Sequence, residues 1–158
     1  MERLNMAVLL HNIRSAHNVG SIFRTGDAAG VSKLYLTGYS PGPIDQYNRP
    51  QKDIAKTALG AELSVPWEQC ADPLELISKL KNEGYRIVGV ELDPRAIDYR
   101  EYKPRGNVVF ILGNEVTGIP EEILYECDDV VQIPMRGMKE SLNVSVAAGV
   151  VLFQYATN

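Results

Sequence analysis

Asn107-Val-Val-Phe-Ile-Leu-Gly-Asn-Glu-Val-Thr-Gly118 decides the fold. From Val108 to Leu112 the run is apolar without alternation, the pattern of a strand covered on both faces. Two glycines then bracket a largely polar stretch. A strand that ends this way exposes backbone groups to whatever binds at the sheet edge.

Comparable apolar runs occur at 5–10, 33–37, 85–90 and 130–133, with a weaker one at 63–65. Between them, 18–30, 51–59, 73–84, 120–125 and 141–155 carry helical patterns. Such alternation predicts an α/β domain with a mostly parallel sheet flanked by helices. The last helical segment contains no charged residue and is apolar nearly all round. A helix without a polar face is buried on more than one side, and in a chain this small a partner subunit is the expected cover. Ser141 is its expected N-cap, and Ser145, Ala148 and Gly149 would admit a second backbone.

With 158 residues, 45% of them hydrophobic and 23% charged, the composition fits one globular domain over 1–158 and excludes a disordered chain. Sixteen Lys+Arg against twenty Asp+Glu give a net charge of −4, so bulk charge does not grip nucleic acid. The signs are segregated, however. Residues 1–26 carry Arg3, Arg14 and Arg24 against Glu2, and 49–56 carry Arg49, Lys52 and Lys56 against Asp53. Arg95, Arg100, Lys103 and Arg105 oppose Asp98 and Glu101, whereas 115–129 holds six acids and no base. Segregation of this kind suits a one-sided RNA face, and Tyr39 and Tyr47 in the long loop 38–50 are candidates to stack on unpaired bases.

Several chemistries are disfavoured. No GxGxxG follows a strand, and 113–118 has P-loop spacing but Ile119-Pro120 in place of Lys-Ser/Thr. His11 and His17 lack metal-ligand spacing, so no metal is expected. Cys70 and Cys127 read as reduced thiols, and the apolar run Met6–Leu10 is too short for a signal or a membrane span. A soluble, cytoplasmic protein is expected.

Three segments concentrate special residues. The first, 17–25, opens a helical stretch in which Val19, Ile22, Phe23, Gly26, Ala29 and Gly30 form a core stripe while Arg24 falls off it, with Gly20 leaving room beside the guanidinium. The plainer alternative has Asn18 capping the helix and Arg24 paired with Asp27. In 111–118, Glu115 either anchors Asn18 or Arg24 or is one more acid of a run reaching Asp129. In 133–143, Met135 and Leu142 are placed to hold an apolar ring, with Ser141 and Asn143 as hydrogen-bonding groups; the alternative is a turn and an N-cap.

The ordered set Asn18-x-Gly20-x-x-x-Arg24, Leu112-Gly113-x-Glu115-x-x-Gly118 and Ile133-Pro-Met135-x-Gly137-x-x-x-Ser141-Leu-Asn-Val-Ser145 resembles the three motifs of SpoU (TrmH-like) RNA ribose methyltransferases of the SPOUT superfamily. Lys56-Thr-Ala-Leu-Gly-Ala61 and Ala96-Ile-Asp-Tyr-Arg-Glu101 resemble two further boxes, and the likeness runs from about Leu9 to Tyr155. It implies a C-terminal trefoil knot, S-adenosylmethionine as cofactor, a homodimer with sites at the subunit interface, and an RNA substrate, tRNA ahead of rRNA. Carried over by motif, the cofactor contacts are Val90, Glu91, Leu92, Leu112, Gly113, Asn114, Ile133, Met135 and Leu142. The catalytic set is Asn18, Arg24, Glu115, Ser141 and Asn143. Val116 and Thr117 depart from relatives with a glycine after the glutamate, and no separate RNA-binding domain is expected. The competing readings are a non-catalytic RNA-binding module on this scaffold and a SPOUT RNA base methyltransferase.

Overall fold

A computed structural model describes residues 3–156; Glu2, counted above among the charges of the first segment, lies outside them. The order is β1 (Asn5–His11), α1 (Ala16–Ala29), β2 (Lys33–Thr37), α2 (Lys52–Ala58), α3 (Ala61–Ser64), β3 (Trp67–Cys70), α4 (Pro73–Asn82), β4 (Arg86–Val90), β5 (Ile97–Asp98), β6 (Asn107–Leu112), α5 (Glu121–Glu126), β7 (Asp129–Gln132) and α6 (Val144–Tyr155). The strands form one seven-stranded sheet in the order β3-β2-β1-β6-β4-β7-β5. Every strand pairing in it is parallel.

The unbroken apolar runs follow from two separate cores. On one face Val8, Leu10, Phe110 and Leu112 pack with Phe23 of α1 and Val151 and Leu152 of α6. On the other, Ala7, Leu9, Val109 and Ile111 pack with Leu76 and Ile77 of α4 and Ile123 of α5. Successive side chains of a strand point to opposite faces, so a sheet with two covered faces needs apolar residues at every position. Phe110 stacks on Tyr155 with centroids 5.5 Å apart, and Tyr155 donates its hydroxyl to the carbonyl of Tyr99, which fixes the end of α6.

Four local expectations are corrected. Residues 63–65 are not a strand: Ala61–Ser64 is a short helix, and the strand is Trp67–Cys70, paired with β2 alone. An edge strand is only half covered, so Glu68 and Gln69 are tolerated and no apolar run marks it. The N-cap of α1 is Ser15, whose hydroxyl accepts the N–H of Asn18, and that of α6 is Asn143, whose Oδ1 accepts the N–H groups of Ser145 and Val146; Asn18 and Ser141 cap neither. The bare Cα of Gly20 faces α2, not Arg24, since a Cβ there would meet Thr57 Oγ1 and the carbonyl of Ile54. Finally, Ala148 is fully buried and Gly149 lies against Thr25 of α1, so these small residues serve packing within the chain.

Gly20→Ala therefore forces α1 and α2 apart and is expected to lower stability by about 1–3 kcal/mol in urea unfolding, the range of overpacked cores. Gly137→Ala, where a Cβ meets nothing, leaves the midpoint unchanged.

Candidate active site

Parallel α/β sheets bind ligands beyond the carboxyl ends of their strands, because loops diverge there and leave a crevice. A cavity of about 420 Å³ opens at that edge, where β4 ends at Val90, β6 at Leu112, and the chain leaves β7 through Ile133. Val90, Glu91, Leu92, Leu112, Gly113, Asn114, Ile133, Met135 and Leu142 all line it, as do Glu115 and Ser141.

The loop after β6 is folded back on itself. Gly118 donates its N–H to the carbonyl of Asn114 at 3.0 Å, while the Asn114 Oδ1 accepts the N–H groups of Val116 (2.8 Å) and Thr117 (3.0 Å). Gly118 has φ +73°, and a Cβ on Gly113 would lie 2.5 Å from the carbonyl carbon of Gly118, so both positions demand glycine. Val116 and Thr117 sit on the outer, exposed rim of this turn, and the loop closes with them in place of a glycine. From below, Glu91 Oε2 accepts the N–H of Ile119 at 2.8 Å and Oε1 that of Leu92 at 3.1 Å. Its carboxylate thus braces the cavity wall.

Glu115 points away from that brace toward the start of α1. It accepts the N–H groups of Arg14 (3.0 Å) and Ser15 (2.9 Å) and the side-chain amide of Asn18 (3.2 Å). Burial pushes this carboxyl up, but the hydrogen bonds from Arg14, Ser15 and Asn18 outweigh it and hold the group below its ordinary 4.5. The amide of Asn143 in turn donates to Asn18 Oδ1 at 3.3 Å. Glu115, Asn18 and Asn143 therefore form one chain from the cavity loop to the caps of two helices. Glu115 anchors Asn18 and not Arg24.

Arg24 stands apart. It is exposed, does not line this cavity, and lies in a shallow depression with Ser21, Thr25, Lys56, Thr57 and Phe153. Its alternative partner Asp27 accepts instead from the hydroxyl of Ser64 at 3.3 Å. Of the basic segments, Arg49, Arg95 and Arg100 are drawn into local pairs with Asp45, Asp93 and Asp98, which removes much of the positive field expected of 95–105.

The walls select the charge of a ligand. Glu91, Asp93, Glu115, Glu121 and Glu140 line the cavity, and among the described residues neither lysine nor arginine does. Such a site disfavours a polyphosphate and favours a cation with an apolar body, for which Val90, Leu112, Met135 and Leu142 supply contact. The sequence pattern missed Asp93, Glu121 and Glu140, whose shared signal is only their acidity. It also missed the bond from the Asn114 amide to the hydroxyl of Tyr39, 2.9 Å long. Among the described residues no group of three or more His, Cys, Asp or Glu is placed to hold a metal ion. His11 is buried against the Thr37 hydroxyl, and burial lowers its pKa.

Glu115→Gln is expected to destabilise the protein at neutral pH. Because the native carboxyl titrates below its unfolded value, its contribution is complete above the unfolded pKa and disappears as the pH falls through the native one. In denaturant titrations the gap between wild type and variant should accordingly be constant near neutrality and close in acid.

A sequence model of the SpoU rRNA methylase family matches residues 5–153. The tRNA (guanosine(18)-2'-O)-methyltransferase of Aquifex aeolicus is 33% identical over 150 residues, 95% of this chain and 68% of its own length. A relative in Staphylococcus haemolyticus is 33% identical over 153 residues, 97% of this chain and 59% of its own length. Among solved structures, an Aquifex aeolicus TrmH/SpoU tRNA modifying enzyme superposes with a TM-score of 0.83 at 31% identity, covering 97% of this chain and 74% of that one. An S-adenosylmethionine-bound rRNA methyltransferase from Sinorhizobium meliloti superposes with a TM-score of 0.86 at 30% identity, covering 98% and 56%. The second and third motifs fall on the loops that build the cavity and the first on α1 beside it, and the chain belongs to the SpoU rRNA methylase family.

Proposed function

We propose that the protein is an S-adenosylmethionine-dependent methyltransferase acting on a ribose 2'-hydroxyl of RNA, with tRNA as the substrate class. The observation that carries this reading is the acid-lined cavity joined through Glu115 to Asn18 and Asn143. S-adenosylmethionine fits these walls: its sulfonium suits the carboxylates and its adenine the apolar side chains. When bound, it supplies an electrophilic methyl group on positively charged sulfur. Val90, Leu112, Ile133, Met135 and Leu142 hold the ligand, the Gly113–Gly118 turn gives it backbone groups, and Ser141 and Asn143 line the approach of the ribose.

A 2'-hydroxyl reacts only as its developing charge is stabilised. Arg24 is the group for that task. A guanidinium stays protonated, so it acts as a clamp on a neighbouring phosphate and on the developing oxyanion, and the proton leaves to a phosphate oxygen or water.

Arg24 lies outside the cavity of its own chain, which is why the active unit is read as a homodimer. Val146, Phe153 and Leu59 expose large apolar surface, and Leu59 and Phe153 border the depression that holds Arg24. A second copy seated there brings its cavity toward this arginine. A trefoil knot is part of the same reading: β7 runs between β4 and β5, beside the segment 91–106, before α6 returns to pack on α1. The cytoplasm is the proposed location; no helix among the described residues is long and apolar enough to cross a membrane, and Cys70 and Cys127 are unpaired.

Incubation with methyl-labelled S-adenosylmethionine and unmodified total RNA, followed by digestion to nucleosides, should place label in 2'-O-methyl nucleosides of the tRNA fraction. Label in a base would select a base methyltransferase, and cofactor binding without transfer would select an RNA-binding module. Arg24→Lys keeps the charge but loses the planar fork, and kcat should fall about 100- to 1,000-fold, the loss typical of one oxyanion donor, with S-adenosylhomocysteine affinity unchanged. Near-full activity would reject planar recognition as the role of Arg24.

A further inference from the structure

We infer that Tyr39 is the platform on which an unpaired base of the substrate RNA stacks at the mouth of the cavity. The inference rests on the RNA methyltransferase reading and goes beyond it, since Tyr39 lies outside the three motifs. It follows β2 directly, and β2 pairs with β1, which pairs with β6, so Tyr39 emerges at the same sheet edge as the cavity loop.

The residue is held through both its backbone N–H and its side-chain hydroxyl. Its N–H donates to the Asn12 Oδ1 at 3.0 Å, and its hydroxyl oxygen accepts from the Asn114 amide at 2.9 Å. Asn114 is the residue whose other amide atom ties the Gly113–Gly118 turn, and its NH2 also reaches the Asn12 carbonyl at 2.9 Å. The backbone around Tyr39 is equally constrained. Asn12 and Gly38 both adopt left-handed conformations, φ 54° and 60°, and a Cβ on Gly38 would run into the Asn12 amide. On the far side the buried Ser40 hydroxyl donates to the Leu10 carbonyl and accepts the N–H of Ile13, both at 2.9 Å.

Despite this bracing, Tyr39 is 58% exposed. Its ring is thus immobilised before any ligand arrives and open to a flat partner. An aromatic face fixed in advance loses little rotamer freedom on stacking, which is the requirement for a nucleobase platform. Because Asn114 donates into the phenolic oxygen, the Tyr39 O–H remains to donate outward. Tyr47 differs: the Arg49 guanidinium lies 4.9 Å from its ring centroid and takes one face, and its backbone is tied to Asp45 in its own loop.

Single-stranded bases are the fitting occupant, since a ring at a cavity mouth reaches only bases that have left a helix. Stacking of one base on an aromatic is worth about 5- to 150-fold in affinity by alanine substitution. Filter retention of a pool of unmodified tRNA transcripts, with S-adenosylhomocysteine present, tests the assignment. Tyr39→Ala should weaken retention by that factor while S-adenosylhomocysteine affinity, measured by calorimetry, stays at the wild-type value. Tyr39→Phe, which keeps the ring but frees it from Asn114, should lose clearly less RNA affinity than Tyr39→Ala.

Three results would overturn the platform: unchanged retention by Tyr39→Ala, equal losses in the alanine and phenylalanine variants, or no retention of tRNA by the wild type. Tyr39-dependent retention without methyl transfer by the wild type would instead overturn the methyltransferase reading and leave the platform standing.

Discussion

The Glu115 carboxylate ties together parts of the chain that lie about a hundred residues apart in sequence, accepting hydrogens from Arg14, Ser15 and Asn18. Asn18 passes the connection to Asn143, whose other amide atom caps α6. The cavity loop, the start of α1 and the start of α6 consequently have one relative position. Each link is modest in energy, about 0.5–1.5 kcal/mol for a neutral hydrogen bond and more for one to a charge. Their value is geometric: a methyl transfer needs its reactants within a fraction of an ångström, and rigid positioning lowers its barrier.

The sheet makes this arrangement possible. All strands are parallel, so their carboxyl ends gather at one edge, and the loops after β1, β2, β4, β6 and β7 meet there. Asn12, Tyr39, Glu91, Asn114 and Met135 come from five such loops. Each loop is braced by polar side chains from its neighbours, as when Glu91 holds Ile119 and Asn114 holds Tyr39. The opposite end of the sheet carries a different kind of bond. There Arg86 and the Tyr102 hydroxyl both donate to Asp129, locking β4 and β7 far from the cavity.

How far the sequence discloses this depends on burial. The strands 5–10, 33–37, 85–90, 107–112 and 130–133 were legible because both faces of the inner sheet are covered, which forces continuous apolar runs. β3 and β5 were not, because one is a half-covered edge strand and the other is two residues long. The residues of the cavity were legible through motif order, and they do come together. The helix caps were misplaced because Ser141 and Asn143 are both good caps and only tertiary contact with Asn18 decides between them. Gly20 was assigned to Arg24 since spacing cannot reveal that α2 crosses there. Least legible was the separation of Arg24 from the cavity, for a linear motif does not say whether its residues share one pocket.

That separation defines the central claim, that one chain supplies the cofactor cavity and another the arginine. Mixing two inactive variants tests it directly. Arg24→Ala keeps an intact cavity, and Gly113→Val, whose side chain would collide with Gly118, keeps an intact arginine. After subunit exchange the mixture should regain methyl transfer to RNA, because one site in the mixed dimer then has both components. A mixture as inactive as its parents, with exchange of subunits demonstrated, would contradict the account.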